Sequence, residues 1–451
     1  MGSNTSTLEL GTKPVGRLLT QYALPAIMAM TAQSLYNTTD SIFIGQGVGP
    51  MAISGLAVTF PFMNLAGAFG AAVGIGAATC ISVKLGQRDY ETAERVFGNN
   101  ISLNILIGII FGAVCLVFID DILRFFGASE QTLPYARDYM TVILAGNWVT
   151  HIYHGLNNVI RASGAPRTAM VMTITTVVLN IILDPIFIYV FGLGIRGAAI
   201  ATMLSQCFAM VWELAYFTDT TRLLHFKRGI YKFNGMICKN IIAIGLSPFF
   251  MNACSCLIVI LINRRLVEYG GDLSVGAFGI SNRVTFIFLM VVIGLNQGMQ
   301  PIAGYNYGAE KMDRVIKVLK YTVVAATCVT VVGYIVSRTI PGLCARLFTT
   351  DAELIAISAN ALVLTMSVFP IVGAQMVITN FFQSIGKAKV SIFLALSRQL
   401  IFLLPALFIL PTIYGLDGVW LSLPTADGIA TVTTVTILLL YIKKMQKGAR
   451  V

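Results

Sequence analysis

Long apolar runs recur along the whole chain, and they constrain its fold more than any other feature. Each run has about 20 or more residues, which is enough for a helix to cross a bilayer. The joins between runs are short and rich in glycine and proline, as in "GQGVGP" and "ASGAPR". Only 11% of the 451 residues are charged, roughly half the fraction of a soluble domain. The sequence therefore predicts an all-α polytopic membrane protein.

Twelve membrane spans are predicted from these runs. They lie near residues 18–45, 52–83, 94–119, 135–160, 168–191, 195–218, 236–262, 274–304, 315–338, 354–382, 390–410 and 416–441.

The distribution of Lys and Arg predicts the orientation of these spans. The two tails and the connections on their side of the membrane hold 22 Lys and Arg residues, and the opposite connections hold 7. Because positive charge is retained on the cytoplasmic side, both termini are predicted to be cytoplasmic. The net charge of +11 then reflects membrane topology, and no nucleic-acid partner is expected.

The two halves of the chain repeat each other. "RASGAPRTA" near Gly164 is echoed by "QSIGKAKVS" near Gly386, and "KLGQRDYETAERV" by "NYGAEKMDRV". A repeat of six spans inserts both copies the same way up, so the copies should be related by a pseudo-two-fold axis along the membrane normal. We predict two six-helix bundles, 1–218 and 236–451, joined by a basic cytoplasmic linker, 219–235.

Four stretches resemble a known family of transporters. They are "SLYNTTDSIFIGQGVGPMAISGLAV", "LGQRDYETAE", "RASGAPR" and "LNIILDPIFIYVFGLGIRGAAIATMLSQ". The chain resembles the bacterial multidrug and toxic compound extrusion (MATE) family along its whole length. That resemblance implies an antiporter of the cytoplasmic (inner) membrane that exports small organic cations in exchange for Na⁺ or H⁺. It also implies a cation-coupling role for the Asp40 and Asp184 region.

The residues themselves point to the same region. Asp40 and Asp184 lie within spans, where a carboxylate is costly unless it is protonated or partnered. Asn180 precedes Asp184 by four residues and shares its helix face, and Thr202 is predicted at the same depth. We predict a coupling site for Na⁺ or H⁺ formed by Asp40, Asn180, Asp184 and Thr202. The alternative is that these groups cap backbone freed by Pro185 and nearby glycines.

Other polar residues within spans give weaker signals. Tyr36, Asn37 and Gln33 are predicted to line the same region, and Gln297 and Arg283 to line the cavity. Asp427 is either a counter-ion for the substrate or a structural partner of Arg398. We expect Glu213 to anchor the inner end of span 6, and His151 and His154 to serve packing. The C-terminal half has Asn263 and Ala406 where the repeat would place the two carboxylates.

Two other function classes compete with drug export. A flippase for lipid-linked oligosaccharides would need cationic groups in its cavity, and Arg283 and Arg398 keep that alternative open. An intramembrane enzyme would need a nucleophile–base pair or a metal centre, and the sequence shows neither. We expect no cofactor, no resident metal other than a coupling Na⁺, and a monomer in the lipid bilayer.

Overall fold

The computed structural model describes residues 8–448, apart from the side chains of Asn37, Thr38, Pro50, Asp272 and residues 445–448. We number the membrane helices α1–α12 in chain order. The N-terminal half contains α1 (Val15–Gly47), α2 (Pro50–Gly86), α3 (Tyr90–Val117), α4a (Leu133–Ala145), α4b (Asn147–Ala162), α5 (Pro166–Pro185) and α6 (Gly194–Tyr216).

The C-terminal half contains α7 (Gly235–Gly271), α8 (Leu273–Gly308), α9 (Met312–Thr339), α10a (Ala352–Thr365), α10b (Phe369–Ser384), α11 (388–414) and α12 (416–448). Glycines with positive φ separate two pairs of these helices. Gly271 has φ 70° between α7 and α8, and Gly415 has φ 58° between α11 and α12. Such angles suit a residue without a Cβ.

The prediction of twelve membrane spans in two six-helix bundles is confirmed, and the bundles are related by a pseudo-two-fold axis along the membrane normal. Within the described part of the chain, eight helical stretches are long and apolar enough to cross a membrane, and the bent pair α10a and α10b is a ninth. One of the eight, Ala388–Lys444, contains both α11 and α12. The two predicted spans that are not apolar or long enough by this measure are α1 and the broken α4. Both carry buried polar residues such as Asp40 and His151. The domain boundaries at 218 and 235 stay a prediction.

Local sequence signals explain where several helices begin. Pro50 and Pro166 occupy first-turn positions, where the missing N–H costs nothing. The Asp89 side chain caps α3 by accepting a hydrogen bond from the Thr92 N–H at 3.1 Å. Asn234 caps α7 in the same way at Met236 and Ile237. These caps satisfy N–H groups that the helix itself leaves unpaired.

The two bundles pack against each other at the end of the membrane where α1 begins and α8 ends. Glycines on α8 bring its backbone close to α1: a Cβ built on Gly298 would lie 2.6 Å from the Ala23 backbone. α2 and α7 approach similarly, since a Cβ on Gly245 would lie 2.2 Å from the Ala72 carbonyl oxygen. Polar side chains add to the seal, as where Gln300 Nε2 donates to Thr79 Oγ1 at 2.9 Å. The bundles are therefore closed at this end, which we call the inner end.

Two glycine substitutions on α8 test how the inner end closes. Gly298→Ala should lower the free energy of unfolding by about 2 kcal/mol, because the new methyl group would overlap the α1 backbone. Gly279→Ala is the matched control, since a Cβ there meets open space and alanine favours the helix. Thermal unfolding in detergent measures both. Equal melting temperatures for the two variants would contradict the close packing of α1 on α8.

Candidate functional site

Three predicted site residues, Asn180, Asp184 and Thr202, meet between α1, α5 and α6. They lie in the half of the N-terminal bundle that is farther from the inner end. Asn180 Nδ2 donates to Asp184 Oδ1 at 3.2 Å and lies 3.3 Å from Thr202 Oγ1. The Thr202 hydroxyl also shares a hydrogen bond with the Tyr36 hydroxyl at 3.1 Å. Asn180, Asp184 and Thr202 are at most 4% exposed. One turn of α5 thus places an amide and a carboxyl on the face that α6 covers.

Asp40 completes the group from α1. It is 5% exposed, and it lies close enough to Asp184 for the two carboxyl groups to repel each other when both are ionised. Three buried oxygen atoms here have no hydrogen-bond partner: Asp40 Oδ1, Asn180 Oδ1 and Asp184 Oδ2. Buried polar atoms are normally paired, so an unpaired set in one place needs an explanation.

The arrangement suits a small hard cation or a proton. Carboxylate, amide and hydroxyl oxygens are the ligands of hard cations. Two neighbouring carboxyl groups can also share one proton, because both cannot ionise at low cost in a buried site. The donor set therefore fits Na⁺ as well as H⁺, and the unpaired oxygen atoms are the observation that supports this fit. No cluster of three or more His, Cys, Asp or Glu residues that could hold a metal ion occurs among the described residues.

The backbone of α5 changes form at this site. The α-helix ends at Pro185, directly after Asp184, and continues as a π-helical turn over Ile186–Val190. Proline cannot donate the helical hydrogen bond and so loosens the ladder around it. The change gives α5 a place to bend one residue beyond the buried carboxyl.

A small cavity of about 30 Å³ adjoins the group on its inner side. Asn180, Thr202, Tyr36 and Gln33 line its outer part, as predicted for Gln33 and Tyr36, and Tyr153 and Thr173 are among the residues lining the rest. A volume of this size holds about one water molecule. The side chain of Asn37 lies outside the described residues.

A second buried polar cluster lies inward of this cavity. Asn157 Nδ2 donates to Glu213 Oε1 at 3.0 Å, and Arg161 Nη2 donates to Asn157 Oδ1 at 3.1 Å. Glu213 is 0% exposed. The expectation that Glu213 anchors the inner end of α6 at the interface is therefore wrong. Its side chain is held inside the bundle because α4b supplies a hydrogen-bond donor there.

Of the predicted cavity residues of the C-terminal bundle, Asp427 and Arg283 join neither cluster, whereas Gln297 contacts Arg161 of the second one. Arg398 Nε donates to Asp427 Oδ1 at 2.6 Å, and the pair is partly buried. Arg283 is exposed on α8. Gln297, also on α8, instead contacts the N-terminal bundle: its Oε1 accepts a hydrogen bond from Arg161, and its Nε2 lies 3.3 Å from the Met30 sulfur.

Sequence reasoning missed Tyr139, Tyr153, Asn157 and Arg161. Tyr139 is 1% exposed and interacts with Thr202. A tyrosine in an apolar helix gives no signal by itself, because aromatic residues are common in any membrane core. Arg161 stood near a predicted span end, where a basic residue usually faces the cytoplasm. Its i, i+4 spacing from Asn157 was the available signal.

The Arg398–Asp427 pair allows a test of whether Asp427 is structural. A charge-assisted hydrogen bond contributes about 1.5–3 kcal/mol. A double-mutant cycle with Arg398→Gln and Asp427→Asn should show coupling of about that size in thermal unfolding. The exposed Arg95–Glu91 pair, at 2.7 Å, is the control and should give about 0.5 kcal/mol. No coupling between Arg398 and Asp427 would favour a free counter-ion for the substrate.

Comparisons with known proteins agree with this architecture. The MatE family model matches residues 25–186 and 244–409, one match in each half. The multidrug export protein MepA of Staphylococcus aureus (strain MSSA476) is 29% identical over 95% of this chain and 94% of its own.

Solved structures give the same result. A MATE structure in the bent conformation superposes with a TM-score of 0.92 at 24% identity, over 99% of both chains. The MATE multidrug transporter DinF-BH, solved in complex with a ligand, superposes with a TM-score of 0.87 at 36% identity, over 95% of this chain and 96% of its own. With a family match in both halves and twelve membrane helices in two bundles, the chain belongs to the MatE family of membrane transporters and is not an enzyme.

Proposed function

We propose that this protein is an antiporter that exports lipophilic organic cations and is driven by inward movement of Na⁺ or H⁺. The observation that carries the proposal is the set of unpaired buried oxygens contributed by Asp40, Asn180 and Asp184. A relative named as a multidrug export protein and a multidrug transporter solved in complex with a ligand support the export of organic compounds.

The physical basis of coupling is the cost of a buried charge. An ionised aspartate in the middle of a membrane costs about 3 kcal/mol, and Asp40 and Asp184 would add their mutual repulsion. Binding of Na⁺ or H⁺ removes this cost. When the charge of Asp40 and Asp184 is neutralised, the N-terminal bundle can therefore pack in a way that is unfavourable while both carboxyl groups are ionised. A transporter couples ion and substrate when each shifts the same conformational equilibrium.

The polar groups favour a cationic substrate over an anionic one. The carboxyl groups of the N-terminal bundle lie close together, while the Arg398 charge is already neutralised by Asp427. Arg161 is used in hydrogen bonds to Asn157 and Gln297. An oligosaccharide flippase would need free arginines to bind pyrophosphate; Arg283 is exposed on α8 but Arg398 is paired, so that alternative now rests on Arg283 alone.

The proposed orientation places the inner end in the cytoplasm of a bacterial cell. The basic connection between α6 and α7 lies at this end, as do the start of α1 and the end of α12. With the inner end closed, access to the site from the cytoplasm is blocked, as in the state in which an antiporter releases its substrate and binds its coupling ion.

Asp184→Asn should abolish uphill export. The amide keeps the shape of the carboxyl group but cannot lose or gain the charge that coupling requires. Efflux of a cationic dye such as ethidium from proteoliposomes, with Na⁺ and H⁺ gradients imposed one at a time, measures this. We expect at least a tenfold loss of gradient-driven transport and unchanged folding.

Asp313→Asn is the matched control, because Asp313 is exposed at the start of α9. It should transport like the unmodified protein. If Asp184→Asn still concentrated the dye against its gradient, the carboxyl group would be structural and the proposed coupling site would be wrong.

The orientation has its own test. A cysteine at Arg228, which is exposed in the connection between α6 and α7, should react with a membrane-impermeant maleimide only from the cytoplasmic side. A cysteine at Asp121, between α3 and α4a, should react only from outside. The background is a variant in which the eight native cysteines are replaced. Labelling of the Arg228 position from outside would reverse the orientation.

A further inference from the structure

The inner polar cluster spans the boundary between the two bundles. Arg161 of α4b donates to Asn157 within its own bundle and to Gln297 Oε1 on α8 of the other bundle. Gln297 lies one residue before Gly298, where α8 packs directly on the α1 backbone. Arg161 therefore joins the bundles at the inner seal, at the level of Met30.

Glu213 is the acidic counterpart of this arginine. Its Oε1 accepts the hydrogen bond from Asn157, whereas its buried Oε2 has no hydrogen-bond partner. Asn157 thus stands between the two charged groups, with its amide nitrogen toward Glu213 and its amide oxygen toward Arg161. Among the described residues, no salt bridge of 4 Å or less joins Glu213 directly to Arg161.

The other groups around the pair are nearly all neutral. From α4b, Tyr153 faces both Glu213 and Arg161, and His154 faces Arg161. From α5, Thr173 hydrogen-bonds Asn157 at 3.3 Å. From α1 and α8, the contacts at Gln297 are uncharged. Glu213 is therefore the carboxyl group that compensates the Arg161 charge in the part of this region that the structure describes.

A route of polar groups connects Glu213 to the outer carboxyl pair. The small cavity touches Asn180 and Thr202 at one side and Thr173 at the other. Thr173 is bonded to Asn157, which is bonded to Glu213. Asn157 Nδ2 donates in both of these bonds and cannot relay a proton, so a proton would pass from the cavity to the unpaired Glu213 Oε2 through water molecules beside Thr173.

On the basis of the proposed antiport, we infer that Glu213 is a second, inner proton-binding carboxyl group, and that its charge keeps Arg161 in place across the seal against Gln297. With Glu213 ionised, the buried cluster is neutral overall and the inner end stays closed. A proton that reaches Glu213 along the cavity leaves Arg161 as an uncompensated buried charge. Such a charge is strongly unfavourable, so water enters, the contact with Gln297 breaks, and the proton leaves to the cytoplasm.

The test measures the opening of the inner end directly. Spin labels at Gln87 and Lys389, both exposed at the inner end of their bundles, report the distance between the bundles by pulsed electron resonance. The protein carries Asp40→Asn and Asp184→Asn, so that the outer carboxyl groups cannot titrate. We expect the distance to lengthen as the pH is lowered.

Three variants then separate the charge of Glu213 from its packing. In Glu213→Gln the inner end should be open and the distance between the labels should not change with pH, because Arg161 has lost its counter-charge. Adding Arg161→Gln to it should restore the closed distance at every pH. Arg161→Gln alone should reverse the response and open the inner end as the pH is raised, since Glu213 then ionises without a partner. Glu91→Gln, an exposed carboxyl group on α3, is the control and should respond like the parent.

The inference is overturned if Glu213→Gln keeps the pH response of the parent, or if the double variant is as open as the single one. If Glu213→Gln does not fold, Arg161→Gln provides the decisive measurement. If the inner end of Arg161→Gln does not open as the pH is raised, Glu213 does not control the closure of the inner end. These measurements use no transport assay. The inference about Glu213 can therefore be wrong while Asp184→Asn behaves as proposed. Equally, the proposed coupling site can be wrong while the distance measurements agree with the inference.

Discussion

The cost of holding carboxyl groups in a low-dielectric bundle is the constraint on which the rest of this structure depends. Asp40 and Asp184 are buried within reach of each other's charge, with oxygen atoms that no donor satisfies. The adjoining cavity has room for about one water molecule, too little to hydrate two carboxylates fully. A bound cation or a proton would stabilise the site, and this is the basis of our proposal that the packing of the bundle depends on its ion. Pro185 and the π-helical turn that follows give α5 the freedom to respond.

The closed inner end is the second structural feature on which the proposed transport depends, after the buried carboxyl pair. Glycines at Gly298 and Gly245 let helices of opposite bundles touch backbone to backbone, and such contacts either form fully or not at all. This makes the interface bistable, so that a small change in charge can move it between two states. The charged groups at the seal, Arg161 and Glu213, sit where such a change would act. The carboxyl pair, Arg161 and Glu213 all lie in the N-terminal bundle, and a narrow polar route runs between them.

Much of the fold followed from the sequence because membrane spans are long and their chemistry is simple. The apolar runs predicted every membrane span, and the repeat around Gly164 and Gly386 predicted the two bundles. The breaks inside α4 and α10 were not predicted, although Gly146 stands at the first break and Pro370 lies in the first turn after the second. Asn180 and Asp184 were paired correctly from their spacing, since four residues make one helix face. Glu213 was misplaced because span depth alone cannot tell which neighbouring helix offers a donor, and here it is Asn157 of α4b.

The central proposal is that the buried oxygens of Asp40, Asn180 and Asp184 bind the coupling ion, and because this donor set fits Na⁺ as well as H⁺, we expect the two ions to compete for it. Adding Na⁺ to the purified protein in weak buffer, and following the pH, measures this exchange most directly. We expect proton release that saturates with Na⁺ and is absent in Asp184→Asn, because the ion replaces the proton of the carboxyl pair. Proton release of equal size from Asp184→Asn would contradict the account.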